Sequence, residues 1–119
     1  MGEWFDVYEG DSERDAEFPH APSNWRKDAA VHKAREEGLE LREDHWDAVR
    51  ALQEYYNRNI DGGVNMRELH DALDERFFRK GGIKYLYQLF PGGPIAQGCR
   101  ISGLQAPAGA IDYGFGSVA

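Results

Sequence analysis

EDHWDAVRALQEYYNR, residues 43–58, is the stretch that decides the fold class. Trp46, Val49, Leu52, Tyr55 and Tyr56 recur at three- and four-residue spacing, which is one face of an α-helix. Glu43 and Asp44 stand at the end where acidic groups suit the helix dipole. Toward the N-terminus, Ser23 is positioned to cap an earlier helix whose first turn contains Trp25 and which Gly38 stops in a left-handed conformation. Toward the C-terminus, NIDGGVN (59–65) cannot continue a helix, and Met66, Leu69, Leu73 and Phe77 then mark a third helix ending near Lys80. Gly81 and Gly82 interrupt again, IKYLYQLF (83–90) gives a short aromatic helix, and Pro94 suits the first turn of a fifth that Gly103 ends. Strand character is confined to EWFDVYEG (3–10), where a short hairpin is expected. The expected class is mainly α: a small helical domain with a short N-terminal β-hairpin.

A chain of 119 residues with 41% hydrophobic content closes one core rather than two. The expected divisions are an acidic segment with the hairpin at 1–17, the helical domain at 18–104 and a C-terminal arm at 105–119. That arm, QAPAGAIDYGFGSVA, is rich in glycine and alanine and has no sustained apolar period, so a flexible arm is expected. The formal charge of −7 is concentrated at the start, where residues 1–17 hold seven acidic groups against Arg14 alone. Nucleic acid is therefore a disfavoured partner, because the one short basic window is RKGGIK (79–84). No run approaches the length of a membrane span, and the N-terminus is acidic where a signal peptide is basic and then apolar. A cytoplasmic location with no membrane partner is expected.

Little in the chain reads as catalytic, and no cofactor is expected. His20, His32, His45 and His70 have neither metal-ligand spacing nor cysteine partners, so structural or surface roles are expected and no metal site. FPGGP (90–94) lacks both the Lys-Ser/Thr ending of a P-loop and the GxGxxG order of a dinucleotide turn. Pro91, Gly92, Gly93 and Pro94 instead form a backbone device that turns the chain sharply ahead of Cys99. Cys99 is the single cysteine, which excludes an internal disulfide and a thiolate zinc site. Its type alone suggests a small buried hydrophobe, and Arg100 is the neighbour that would favour a thiolate if the group were exposed.

KYLYQLFPGGPIAQGCRISGLQAPAGA (84–110) resembles the C-terminal signature of the DsrC/TusE family, approximately YLYxLFPGGPxxQxCKxAGLPKPTGC. EEGLELREDHW (36–46) and MRELHDAL (66–73) extend the likeness over about residues 18–110. The resemblance implies a helical domain with a helix-turn-helix-like core, a small N-terminal hairpin and a flexible arm. It also implies proteins that are not enzymes in the ordinary sense: DsrC proteins carry sulfur on a penultimate arm cysteine, and TusE relatives pass it in a relay toward tRNA thiolation. Implied partners are sulfite reductase, heterodisulfide-reductase-like and sulfur-relay proteins.

Cys99 matches the upstream cysteine of that family, but aligning PTGC on PAGA from Pro107 places Ala110 where the carrier cysteine belongs. A disulfide or trisulfide needs two protein sulfurs with Cα atoms about 4–7 Å apart, so the two-cysteine route is closed. Nine further residues, IDYGFGSVA, follow Ala110 and would obstruct insertion of a short arm into a reductase. Three readings are compatible with this. The first is a non-enzymatic regulatory or partner-binding paralogue. A second is a relay protein accepting persulfide or forming a mixed disulfide through Cys99 alone. The third is a helix-turn-helix DNA-binding regulator whose recognition helix, 65–79, carries Arg67, Arg76 and Arg79 against Glu68, Asp71, Asp74 and Glu75.

Overall fold

The computed structural model describes residues 16–110. They form five α-helices and a 3₁₀ turn: α1 (Lys27–Glu36), α2 (Glu43–Arg58), α3 (Met66–Arg76), the turn Phe78–Lys80, α4 (Ile83–Leu89) and α5 (Ala96–Ser102). Among the described residues there is no strand, so the fold class is corrected from a helical domain with a hairpin to an all-helical one. The hairpin expected over residues 3–10 lies outside the described residues.

α2 spans the residues its apolar period marks, and it is the axis of the domain. It packs against α3, α4 and α5, while α1 covers α5 and α3 meets α4. Its inner face buries Trp46, Ala48, Val49, Ala51 and Leu52 together with the polar His45 and Gln53. On α3 the stripe continues through Leu69 and Leu73, both buried. The next stripe residue, Phe77, is also buried, yet the helix stops at Arg76 rather than near Lys80. Asp74 explains the stop. Its Oδ1 accepts the Ile83 N–H at 2.8 Å, and the Gly82 N–H returns to the Phe77 carbonyl at 2.8 Å, so the chain must turn here to begin α4.

α1 departs from its expected start as well. Trp25 precedes the helix, and the N-cap is Arg26 in an extended conformation, with no side-chain cap. The cause is packing. Trp25 packs tilted against Phe18 and edge-on against Trp46, at centroid distances of 4.9 and 6.5 Å, and its indole N–H donates to the Ile101 carbonyl at 2.9 Å. Tertiary burial of the ring thus displaces the helix start past the position where Ser23 alone would cap it. α2 and α3 are joined by seven residues, 59–65, longer than the three- or four-residue turn of helix-turn-helix motifs. Among the described residues no helix is long and apolar enough to cross a membrane.

His45 fastens α2 to the end of α4. Its Nδ1 accepts the Arg42 N–H at 3.0 Å and its Nε2 faces the Leu89 carbonyl at 2.8 Å, so the neutral Nε2–H tautomer satisfies both contacts. Burial lowers its pKa below the ordinary histidine value, more than the Leu89 bond raises it. The unfolded chain therefore binds a proton at His45 more readily than the folded one does. This contribution to stability is fully present above the unfolded pKa of about 6.5 and is lost as pH falls through the lower folded value. Urea midpoints measured from pH 7.5 down to 5 are expected to fall, with a shallower fall in His45→Gln. Equal slopes would remove His45 as the cause.

Candidate functional site

The FPGGP turn is built from the core outward. Phe90 is fully buried edge-on to His45, at a centroid distance of 5.3 Å, and it fixes where the turn begins. The Gly93 N–H returns to the Phe90 carbonyl at 2.8 Å, and α5 starts at Ala96, with Pro94 in the preceding turn rather than in the helix. A polar chain then locks the turn to the end of α1. The Gly92 N–H donates to Gln97 Oε1 at 2.9 Å, and Gln97 Nε2 donates to Glu37 Oε1 at 3.0 Å. Arg100 closes the network with two nitrogens on Glu37, at 2.9 and 2.8 Å. This pairing holds the Glu37 carboxyl below its ordinary range.

The sequence places Arg100 beside Cys99, but the fold points its guanidinium at Glu37. The Glu37 side chain is 6% exposed and that of Arg100 29%, so one partner is sealed and the other still reaches water. Glu37→Ala is expected to lower stability by about 2 kcal/mol, because charge-assisted bonds are lost while Arg100 partly recovers hydration. A urea titration checks this, and a loss under about 0.5 kcal/mol would mean that the pair behaves as an ordinary surface contact.

Cys99 lies on the opposite, inner side of α5 and is 0% exposed. α5 comes close enough to α2 that a Cβ on Gly98 would stand 2.9 Å from Leu52 Cδ1, so a larger residue there would require the Leu52 side chain to shift. The thiol points at Tyr56, with Sγ 3.5 Å from Oη, and the same phenol donates to the Gln105 carbonyl at 2.6 Å. Burial pushes the Cys99 thiol up to about 11, against a smaller lowering by the Tyr56 bond. Burial and the neighbouring thiol likewise raise the Tyr56 pKa. Both groups are protonated at neutral pH.

The described part of the arm lies on the domain. Gly103 ends α5 in the left-handed region at φ 80° with its Cα against Trp25, and the Leu104 N–H bonds the Cys99 carbonyl at 2.8 Å. Ala106 and Ala110 pack, partly buried, against the core, and Gly109 lies beside Met66. Residues 111–119 of the expected arm lie outside the described residues. The structure therefore brings Cys99, the FPGGP turn and Arg100 to one short helix while separating their chemistry: the thiol faces inward and the guanidinium faces Glu37. Tyr56, Glu37 and Gln97 are contributors that the sequence did not single out. Tyr56 reads there as one more member of the α2 stripe, and Gln97 reads only as part of the Q-x-C spacing.

The histidines are dispersed. His20 meets Asn57, His32 pairs with Glu36, and His70 lies by Asp71. Among the described residues no group of three His, Cys, Asp or Glu is placed to hold a metal ion.

The fold is thus a five-helix domain with one buried cysteine on its last described helix, just ahead of an arm laid on the domain. Residues 10–111 match the family model described as DsrC like protein, and the chain belongs to the DsrC/TusE family. It is 34% identical over 108 residues to sulfurtransferase TusE of Photorhabdus laumondii, covering 88% of this chain and 96% of that one. To sulfurtransferase TusE of Escherichia coli K12 it is 35% identical over 108 residues, covering 88% and 98%. The NMR structure of Allochromatium vinosum DsrC superposes with a TM-score of 0.58 at 40% identity, covering 73% of this chain and 78% of that one.

Proposed function

We propose that this protein serves sulfur metabolism as a partner-binding member of its family that does not itself carry sulfur on the arm. One observation carries the reading. The chain's single thiol is sealed beneath Tyr56 with its pKa raised to about 11, and the likeness of PAGA to the family's PTGC sets Ala110 at the carrier's place. What remains is a scaffold with an arm laid on its surface, suited to engaging sulfite-reductase or sulfur-relay proteins without exchanging sulfur with them. Incubation with polysulfide followed by intact-mass measurement is expected to show no added sulfur at neutral pH. The tagged protein is expected to retain a sulfur-relay or sulfite-reductase component from a sulfur-metabolising lysate. An adduct that is present in the native chain and absent in Cys99→Ala would overturn the reading.

A second reading is favoured by the relatives' names, since the TusE proteins are sulfurtransferases. In it Cys99 accepts sulfur once the Tyr56–Gln105 contact is opened by a partner. The two readings separate when the polysulfide experiment is repeated with the retained partner present. Sulfur on Cys99 under that condition alone selects the second. The DNA-binding alternative is not adopted, because Arg76 of its recognition helix is held by Glu54 and that helix carries four acidic residues.

A further inference from the structure

We propose that Asp61 and Gly62, in the loop between α2 and α3, form a covalent modification site, at which the link between them passes through a succinimide and becomes isoaspartyl. NIDGGVN (59–65) holds the chain's one Asp-Gly pair, and residues 60–63 are all exposed. The loop is held on either side of that pair. Asn59 Nδ2 donates to the Tyr55 carbonyl at 2.8 Å, and the Gly63 N–H donates to the Asn59 carbonyl at 3.0 Å. Between these anchors, among the described residues, the Asp61 carboxylate has no hydrogen bond or ion pair and the Gly62 N–H has no acceptor. Neither reacting group has to break a contact in order to meet the other.

Location singles out this aspartate. The other described aspartates, Asp28, Asp44, Asp47, Asp71 and Asp74, all lie inside α1, α2 or α3. Helical dihedrals hold the following nitrogen in place there, and in each case the following residue carries a side chain. Gly62 has no Cβ, so nothing on it hinders the approach of its nitrogen to Asp61 Cγ.

The step needs no oxidant, reductant or cofactor. The Gly62 nitrogen attacks Cγ of the protonated Asp61 carboxyl: the N–Cγ bond forms, the Cγ–OH bond breaks, and the N–H proton leaves with that hydroxyl as one water. Hydrolysis of the resulting ring takes the water back. Opening at Cγ restores Asp61, whereas opening at the α-carbonyl leaves Asp61 joined to Gly62 through its side chain, with its α-carboxylate free. The main chain is then longer by one methylene inside the turn that the Gly63–Asn59 bond closes. Asn59, Ile60, Gly63 and Val64 line a groove of about 510 Å³ beside the arm base, and this wall is the part of the molecule that the rearrangement moves. Along the chain the nearest buried residues are Gln53 and Leu69, so the core stays packed.

The test keeps the folded full chain under native conditions at mildly acidic pH and samples it over weeks. After trypsin, NIDGGVNMR (59–67), which contains no other aspartate, is compared by chromatography and mass with synthetic peptides carrying aspartyl or isoaspartyl at position 61. An isoaspartyl peptide of unchanged mass is expected to accumulate, with a transient form lighter by one water. Asp61→Glu, which needs a larger ring, is expected to give none, and Gly62→Ala several-fold less. A Cβ at Gly62 meets nothing within 4 Å, and Gly62 is not among the positive-φ glycines. The unfolding midpoint of Gly62→Ala is therefore expected at or slightly above that of the native chain. No isoaspartyl peptide, undiminished accumulation in Gly62→Ala, or equal accumulation at any of the five helical aspartates would each overturn the proposal.

Discussion

Ala110→Cys is expected to take up one sulfur, a gain of about 32 Da, from polysulfide at neutral pH, under conditions where the native chain takes up none. The contrast follows from where the two side chains sit. Position 110 is half-buried on the arm, while Cys99 is 0% exposed. A rise of the Cys99 pKa from 9.0 to about 11 lowers its thiolate fraction at neutral pH about a hundredfold, and the thiolate is the nucleophile. Enclosure adds to that difference, since attack on a polysulfide also requires access. Intact-mass measurement of the native chain, Ala110→Cys and the double variant Ala110→Cys/Cys99→Ala separates the positions. An adduct on the native chain and on Ala110→Cys but not on the double variant would place the reactive sulfur at residue 99 and contradict the geometry.

Trp25→Ala is expected to be the most damaging single substitution in the domain, at about 3–5 kcal/mol. The ring is 7% exposed, contacts both Phe18 and Trp46, and donates to the Ile101 carbonyl. Truncation removes the packing and the hydrogen bond together, against a total stability on the order of 5–15 kcal/mol for a domain of this kind. Trp25→Phe keeps most of the apolar volume and leaves the Ile101 carbonyl without its donor, so it is expected to cost about 1–3 kcal/mol. Urea unfolding of the two variants apportions the effect. If Phe is as damaging as Ala, the hydrogen bond rather than the packing holds this corner. If Ala is within about 0.5 kcal/mol of native, the cluster is not a keystone of the fold.

The helices were legible where local signals sufficed. The bounds of α2 follow from its apolar period, and Gly38 and Gly103, both at positive φ, stop the helices before them. Where a tertiary contact competes with a local signal, the local reading slipped. Ser23 marks a start that Trp25 overrides, and Phe77 belongs to the α3 stripe although Asp74 ends the helix before it. The site divides in the same way. The FPGGP turn and Cys99 were legible as a motif. The partners that settle what Cys99 and Arg100 face lie 43 and 63 residues away along the chain, at Tyr56 and Glu37. No spacing rule reaches that far, because such pairings are decided only when α1 and α2 close over α5.

α5 is seven residues long, too short to hold helical structure by itself in water. Its anchors are Trp25 on the Ile101 carbonyl, Glu37 on Arg100 and Gln53 on the Ser102 carbonyl, separated from it by 76, 63 and 49 residues. Bringing such distant segments together carries a loop-closure entropy that only an assembled α1–α2 frame offsets. α5 is therefore held in place as one unit by that frame, with six of its seven residues buried. Cys99 and the base of the arm belong to that one unit, so the thiol meets solvent only in excursions that also release the arm.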